Sequence, residues 1–433
     1  ESWKVRKKKM KIVLLLSTLV LTAVKSVPIG LRSWSPDLPL KSDPKITLVT
    51  QASCDKMHLV RGLLERWTYE NDGARASIAL FAQDDEQKEM ITKEVNYLTE
   101  MYGEDRVRFK IHEAVNDEVL AEYPINEMRN LAVQNVDEDS EFAFIVDVDM
   151  WPSYETYHIL LTSLRNIMGK TKAALVVPPF AFAGGFDEFS KLRVSAKDLN
   201  EANRYDSLMP RTHEELQNCF VFDTTQFPRY HNFHSPKMWI IPHPDKSTGL
   251  YHKHCYIFDR QNPGGHSSTN ISQWWSQEPG SARRIPCIDS VKFEPYVVLR
   301  TKELKSMPFS ESLKGYGKNK VNFMRELWVS GYVYYVAGGA FLFHHPHIES
   351  PSKHLWRNRT KLDDLQGEDM MSRNDKIYNE MLQKTMAKFT SGGDDHRIRT
   401  PCCETMIGSH LPHLPDRLEM LRPPWCSSSF NIA

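Results

Sequence analysis

The stretch Glu141–Pro152, EFAFIVDVDMWP, decides how the rest of the chain reads. Five apolar residues, Phe142 to Val146, run into Asp147, and Val148 separates it from Asp149. A short run rich in β-branched and aromatic residues suits a strand buried on both faces of a mostly parallel sheet. Two carboxylates at the end of such a strand leave charge unpaired beside the core unless a cation sits there. Hard oxygen ligands suit Mg2+ or Mn2+, so a divalent metal bridging to a diphosphate is one reading. The start of a solvated loop is the other.

Upstream of this strand the pattern alternates. Ile46–Thr50, Ala76–Ala82 and Val107–His112 read as strands, and Asp55–Tyr69, Asp84–Met101 and Tyr123–Val136 as helices. Alternation of this kind predicts an α/β fold with a mostly parallel central sheet flanked by helices and right-handed crossovers. Open sheets of that class bind ligands at the carboxyl ends of their strands, where Asp147 and Asp149 fall. Downstream, Ala173–Phe182 reads as one strand stopped by Pro178-Pro179. Residues 184–290, rich in aromatics, His and Pro, read as long ordered loops suited to an acceptor pocket. Glu294–Arg300 reads as a strand and Lys318–Ser330 as a helix. Tyr332–Phe343 reads as a single strand ending in His344-His345-Pro346-His347. Asp363–Phe389 reads as a charged helix broken by Ser391-Gly392-Gly393, and the tail from Asp394 as an appendage.

Two further constellations carry chemistry. Imidazoles at a strand end, as with His344 and His347, make good Mn2+ partners beside carboxylates, although a His-rich turn can equally be a solvated loop. Gly315 and Gly317 allow close backbone approach before a helix, and Lys318 and Lys320 flank them, an arrangement that suits a sugar or phosphate. The P-loop spacing is absent, as are G-x-G-x-x-G after a strand and the G-x-S-x-G elbow.

Composition sets the outer bounds. The chain has 433 residues, 55 basic against 55 acidic, and 41% hydrophobic content, which describes a globular protein and gives no sign of a nucleic-acid binder. Lys4, Arg6, Lys7, Lys8, Lys9 and Lys11 precede the apolar run Ile12–Val24, closed by Lys25. That order reads as a secretory signal or a signal anchor, with entry to the secretory pathway either way. Seven cysteines fit an oxidising compartment, and Asn270-Ile-Ser272 and Asn358-Arg-Thr360 are formal glycosylation acceptors. The expected organisation is a basic flank with signal peptide or anchor over 1–31 and a stem over 32–44. A main α/β domain over 45–350 and a helical, Pro- and Cys-containing extension over 351–433 complete it.

Six stretches occur in order: YPINEMRNLA at 123–132, FAFIVDVDMWPSYE at 142–155, GHSSTNISQWW at 265–275, EPYVVLR at 294–300, ESLKGYGKNKV at 311–321 and FLFHHPH at 341–347. Together they resemble glycosyltransferase family 49, the LARGE-type and β-1,4-glucuronyltransferase-like enzymes. The resemblance implies a GT-A-type fold and an inverting, Mn2+-dependent transfer from a UDP-sugar donor, with glucuronate as the expected sugar, to a glycan acceptor on protein or lipid. It also implies a Golgi membrane protein whose catalytic domain is lumenal, with secretion after signal cleavage as the alternative.

Carried over by position, Asp147, Asp149 and His344 become the expected metal ligands. Asp147 could instead hold the donor ribose, and His347 is expected at the diphosphate. Arg129 and Asn130 are expected to line the nucleotide pocket, with Gly315, Gly317 and Lys320 beside the donor. An inverting transfer needs a carboxylate to take the acceptor proton. More distant β-1,4-galactosyltransferases carry that acid where this chain has Lys320, which leaves Glu311, the preferred base because it matches a family Glu, and Glu294 as the candidates. Asn270 matches a motif residue facing the acceptor, so Asn358 is the better glycan site. Two other classes stay open: a catalytically silent lumenal glycan-binding protein of the same fold, and a metal-independent glycoside hydrolase.

Overall fold

In the computed structural model, residues 44–114, 123–182, 209–219, 255–257, 265–359 and 368–391 are described, apart from single positions at 168, 171, 287, 289, 291, 346, 348 and 349. The expected signal or anchor, nearly all of the stem, most of the 184–290 region and the tail lie outside these residues. Among the described residues no helix is long and apolar enough to cross a membrane.

The first half of the chain winds as expected. Strands β1 (Ile46–Ser53), β2 (Arg75–Ala82), β3 (Val107–Glu113) and β4 (Phe142–Ile145) alternate with helices α1 (Met57–Thr68), α2 (Asp85–Tyr102) and α3 (Ile125–Gln134). All four strands are parallel, in the order β3-β2-β1-β4. Every residue of β1 and β4 is buried, whereas β3, at the sheet edge, is mostly half-exposed. Helix α2 starts where the Asp84 side chain accepts from the Gln87 N–H, and stops at Gly103.

Strands β5 (Met150–Pro152), β6 (Ala173–Val177) and β7 (Pro179–Phe182) follow, with helix α4 (Thr156–Arg165) after β5. Beyond β8 (Cys255–Ile257) and β9 (Ala282–Arg284) come β10 (Tyr296–Arg300), α5 (Asn319–Val329), β11 (Val333–Ala337), β12 (Leu342–His344), α6 (Pro351–Asn358) and α7 (Met370–Ser391). Strand β10 lies antiparallel between β4 and β6, β11 is parallel to β6, and β9 closes the eight-stranded sheet.

Two expectations need correction. Ala173–Phe182 is two strands, because Pro178 has no N–H to continue the ladder and the chain there crosses from the large sheet to a second, four-stranded one. Tyr332–Phe343 is likewise two. It breaks at Gly338-Gly339, where a side chain on Gly338 would meet the Glu278 carbonyl at 2.3 Å and Gly339 has φ 81°. The second sheet, ordered β5-β12-β7-β8, is built from these two crossings. Helix α4 is absent from the sequence reading. Its buried face, Tyr157, Leu160, Leu161 and Leu164, has helical spacing and sits directly after the aspartates.

Candidate active site

The second sheet assembles the site. A turn bonded from the Met150 N–H to the Asp147 carbonyl carries the chain from β4 into β5. Strand β5 pairs antiparallel with β12, so Met150 lies opposite His344, and the His345 N–H donates to the Asp149 carbonyl at 2.8 Å. This pairing brings the histidine turn against the second aspartate. His347 Nε2 is 2.7 Å from Asp149 Oδ2, and His344 Nε2 is 3.8 Å from it. The ligand atoms of Asp149, His344 and His347 lie within 4.8 Å of one another.

Asp149 Oδ1 is buried and has no hydrogen-bond partner among the described residues. Burial alone would raise its pKa, but Lys56 and His347 hold the carboxyl well below the ordinary range. Lys56, on the turn after β1, stands 3.7 Å from Asp149 Oδ2. Burial pushes the His344 pKa down to about 3 against the pull of Asp149, so its ring is neutral and has a lone pair to give. An anionic oxygen without a donor beside two imidazoles fits a divalent metal ion.

Asp147 is bound differently. Its Oδ1 accepts from Arg129 Nη2 at 2.8 Å, and its Oδ2 from Lys320 Nζ at 2.8 Å and the Tyr296 hydroxyl at 3.0 Å. Burial opposes ionisation, but Lys320 and Arg129 outweigh it and keep the carboxylate charged. Lys320 Nζ also lies 3.9 Å from the Tyr296 ring centroid, and the His266 ring is nearly parallel to that of Tyr296 at 6.0 Å. The two aspartates of the motif thus meet different partners.

Residues 110–262 and 251–384 match the family described as "Glycosyl-transferase for dystroglycan". The chain belongs to this family. The matched span takes in the Asp147 strand, the Gly315–Gly317 loop and the histidine turn, so the resemblance drawn from the ordered motifs holds. Curated relatives include the xylosyl- and glucuronyltransferase LARGE2s of Danio rerio, 26% identical over 318 residues, which is 72% of this chain and 33% of that protein. Xylosyl- and glucuronyltransferase LARGE1 of Homo sapiens is 25% identical over 317 residues, 72% of this chain and 32% of its own length. The chain spans about a third of the length of these relatives. Similar solved structures include GalNAc-T7 with UDP, GalNAc and Mn2+, at 12% identity and TM-score 0.38 over 72% of this chain and 45% of that one. Another is S. aureus TarS 1-349 in complex with UDP, at 11% identity and TM-score 0.35 over 69% of this chain and 60% of that one. The central sheet between helices, with β1 to β4 parallel, is the α/β architecture expected from the alternating pattern.

Within this family member the remaining expected residues are dispersed around the two aspartates. Asn130 is tied to the 309–311 segment: its Nδ2 donates to the Phe309 carbonyl and to Glu311 Oε1, and its Oδ1 accepts from the Phe309 N–H. Glu311 is exposed. Glu294 is half-buried two residues before Tyr296, and its charge helps raise the pKa of that hydroxyl after burial and the two aspartates have acted. The Gly315 N–H donates to the Tyr123 carbonyl, and Gly317 lies under the Trp356 indole. Asn270 has φ 50° and caps the short helix Ile271–Trp275 through its own side chain, while Asn358 is exposed. Cys54 is half-buried and unpaired among the described residues.

Sequence reasoning missed Lys56, Tyr296 and His266. Lys56 sits just past the carboxyl end of β1, a position the sheet rule marks. Tyr296 and His266 lie inside quoted motifs, with nothing local to tell a ligand to Asp147 from a core ring.

Proposed function

We propose that this chain transfers a sugar from a UDP-sugar to a glycan acceptor with inversion, with glucuronate as the donor sugar. The observation that carries the reading is the Asp149, His344 and His347 cluster beside an Asp147 already neutralised by fixed cations. Asp149, His344 and His347 would hold a divalent ion, Mn2+ first among candidates, which supplies positive charge toward a departing diphosphate. Lys56 and Lys320 add cationic side chains on the same rim and favour an anionic ligand there. Asp147, oriented by Arg129 and Tyr296, is free to accept from a donor hydroxyl with whatever lone pairs its three partners leave.

A carboxylate must take the acceptor proton as the hydroxyl attacks. Glu294 is the stronger candidate, because it is half-buried two residues before Tyr296, the partner of Asp147, whereas Glu311 is exposed and accepts from Asn130 through Oε1. The basic flank and apolar run over 1–31 would anchor the chain in the Golgi membrane, with the residues from 45 onward lumenal and Asn358 available to a glycan. The test is UDP release from a panel of UDP-sugars with Mn2+ and a glycan acceptor. Release from at least one donor, lost on adding EDTA and lost in Asp149→Ala, is expected. Mn2+-dependent UDP binding without release would favour the silent binding protein, and cleavage of a glycan that persists in EDTA would favour the hydrolase.

A further inference from the structure

We infer that α7, which lies beyond the expected 45–350 domain, is a strap that sets the active-site loop, with Asn374 as its positioning residue. The inference rests on the donor-site reading of Asp147 given above. The loop that leads into α5, whose second residue is Lys320, needs outside support. Gly315, Gly317 and Lys318 have φ of 67°, 98° and 65°, so three of four consecutive residues are left-handed. Lys318 adopts that conformation without the freedom of glycine. No strand ladder holds these residues, and two of their carbonyls, those of Lys314 and Tyr316, are directed at α7.

Asn374 is fully buried, and its Nδ2 donates to both: 2.9 Å to the Lys314 carbonyl and 3.0 Å to the Tyr316 carbonyl. A primary amide has two N–H donors, and each carbonyl takes one, so no smaller or acceptor-only side chain reproduces the contact. Neighbouring residues of α7 complete the hold. The Tyr316 N–H donates to Met370 Sδ at 3.4 Å, and Asp375 pairs with Lys318 at 3.4 Å. Two residues after Lys318 the chain delivers Lys320 to Asp147. The strap therefore acts on the donor site through the loop and touches neither aspartate.

The experiment compares wild type with Asn374→Ala and Asn374→Asp by three readouts: amide hydrogen exchange of residues 314–320, donor KM, and affinity for Mn2+ alone. Both variants are expected to speed exchange in 314–320 at least tenfold while β4 is unchanged. They should raise donor KM at least tenfold and leave Mn2+ affinity within twofold. A third variant, Asn374→Leu, fills a similar space with neither donor nor charge, so a packing role alone would leave its exchange in 314–320 and its donor KM normal. Unchanged exchange, faster exchange with normal donor KM, or failure of both variants to fold would each overturn the positioning role. A wild-type chain that binds Mn2+ but releases no UDP sinks the transferase reading, and the exchange comparison still decides whether α7 holds the loop.

Discussion

Gly317 offers a direct test of how tightly the donor loop is built. Its φ of 98° costs an L side chain about 1–2 kcal/mol. A Cβ there would lie 2.7 Å from Trp356 Nε1 and 3.3 Å from two carbons of the same ring. The ring cannot swing away freely, because Tyr316 packs edge-on against it at 5.3 Å. Overpacking of this kind costs about 1–3 kcal/mol, and the stiffer unfolded chain offsets ~0.4–1 kcal/mol. Gly317→Ala should therefore lose about 2–3 kcal/mol of stability in urea titrations. Gly169→Ala is the control, since nothing lies within 4 Å of a Cβ there and its φ is not positive. In a Trp356→Leu background the crowding is gone and only the backbone strain remains, so the cost of Gly317→Ala should fall by about 1 kcal/mol or more. If Gly317→Ala matches Gly169→Ala, or costs the same with and without Trp356, the crowding argument is wrong.

Three other outcomes follow from the site. Asp149→Ala should abolish Mn2+ binding in calorimetry, whereas Asp147→Asn should keep it within a few-fold while destabilising the fold by ~3 kcal/mol, because Arg129 and Lys320 lose their counter-charge. His266, held down to about 3 chiefly by burial and then by Lys320, is neutral in the folded chain. Its folded-state pKa lies below the unfolded value near 6.5, so its share of stability is present above about pH 6.5 and is lost as pH falls from there toward 3. His266→Phe should accordingly flatten the fall in urea midpoint between pH 7 and pH 5, and an unchanged slope would count against a buried neutral ring. Glu294→Gln should lower kcat by about 100-fold or more, as loss of a general base does. Glu311→Gln should lower it far less, and the reverse order would reassign the base.

The first half of the fold was legible because each element there agrees with its local pattern. Phe142–Ile145 is apolar throughout and buried on both faces, and the amphipathic run after Cys54 becomes α1. The second half was less so, because its strands change sheets within continuous apolar runs. Nothing in AALVVPPFAF or YVYYVAGGAFLF distinguishes one long strand from two short ones except Pro178 and Gly338-Gly339. The prolines read as an end and the glycines as the interior of one strand, whereas both are crossings between sheets. The site followed the same division. Asp149 and His344 could be paired from sequence, since each ends a strand, but the geometry that adds His347 depends on β5 and β12 being antiparallel partners. The ion-pair partners of Asp147 come from three elements far apart in the chain, and no spacing rule joins Arg129, Tyr296 and Lys320 across 191 positions.

The motif's two carboxylates, one residue apart, face opposite electrostatic surroundings, and this bears on why both are present. Asp147 is compensated by three side chains at hydrogen-bond distance: a guanidinium, an ammonium and a phenol, all within 3.0 Å. A carboxylate so bound has little to offer a metal, since an ion there would confront Lys320 and Arg129 directly. Among the described residues Asp149 has one imidazole at hydrogen-bond distance, a second at 3.8 Å, a lysine at 3.7 Å and one oxygen with no donor. Its compensation is incomplete, and a divalent ion completes it without displacing a strong partner. Exchanging the surroundings should then exchange the roles. Lys56→Met, which removes the ammonium 3.7 Å from Asp149 Oδ2, should tighten Mn2+ binding by several-fold, because the ion no longer competes with it. Lys320→Met should leave Mn2+ affinity nearly unchanged and weaken UDP instead. Equal effects of the two lysines on Mn2+ would mean that the aspartates share one ion, and the division of labour proposed for them would fail.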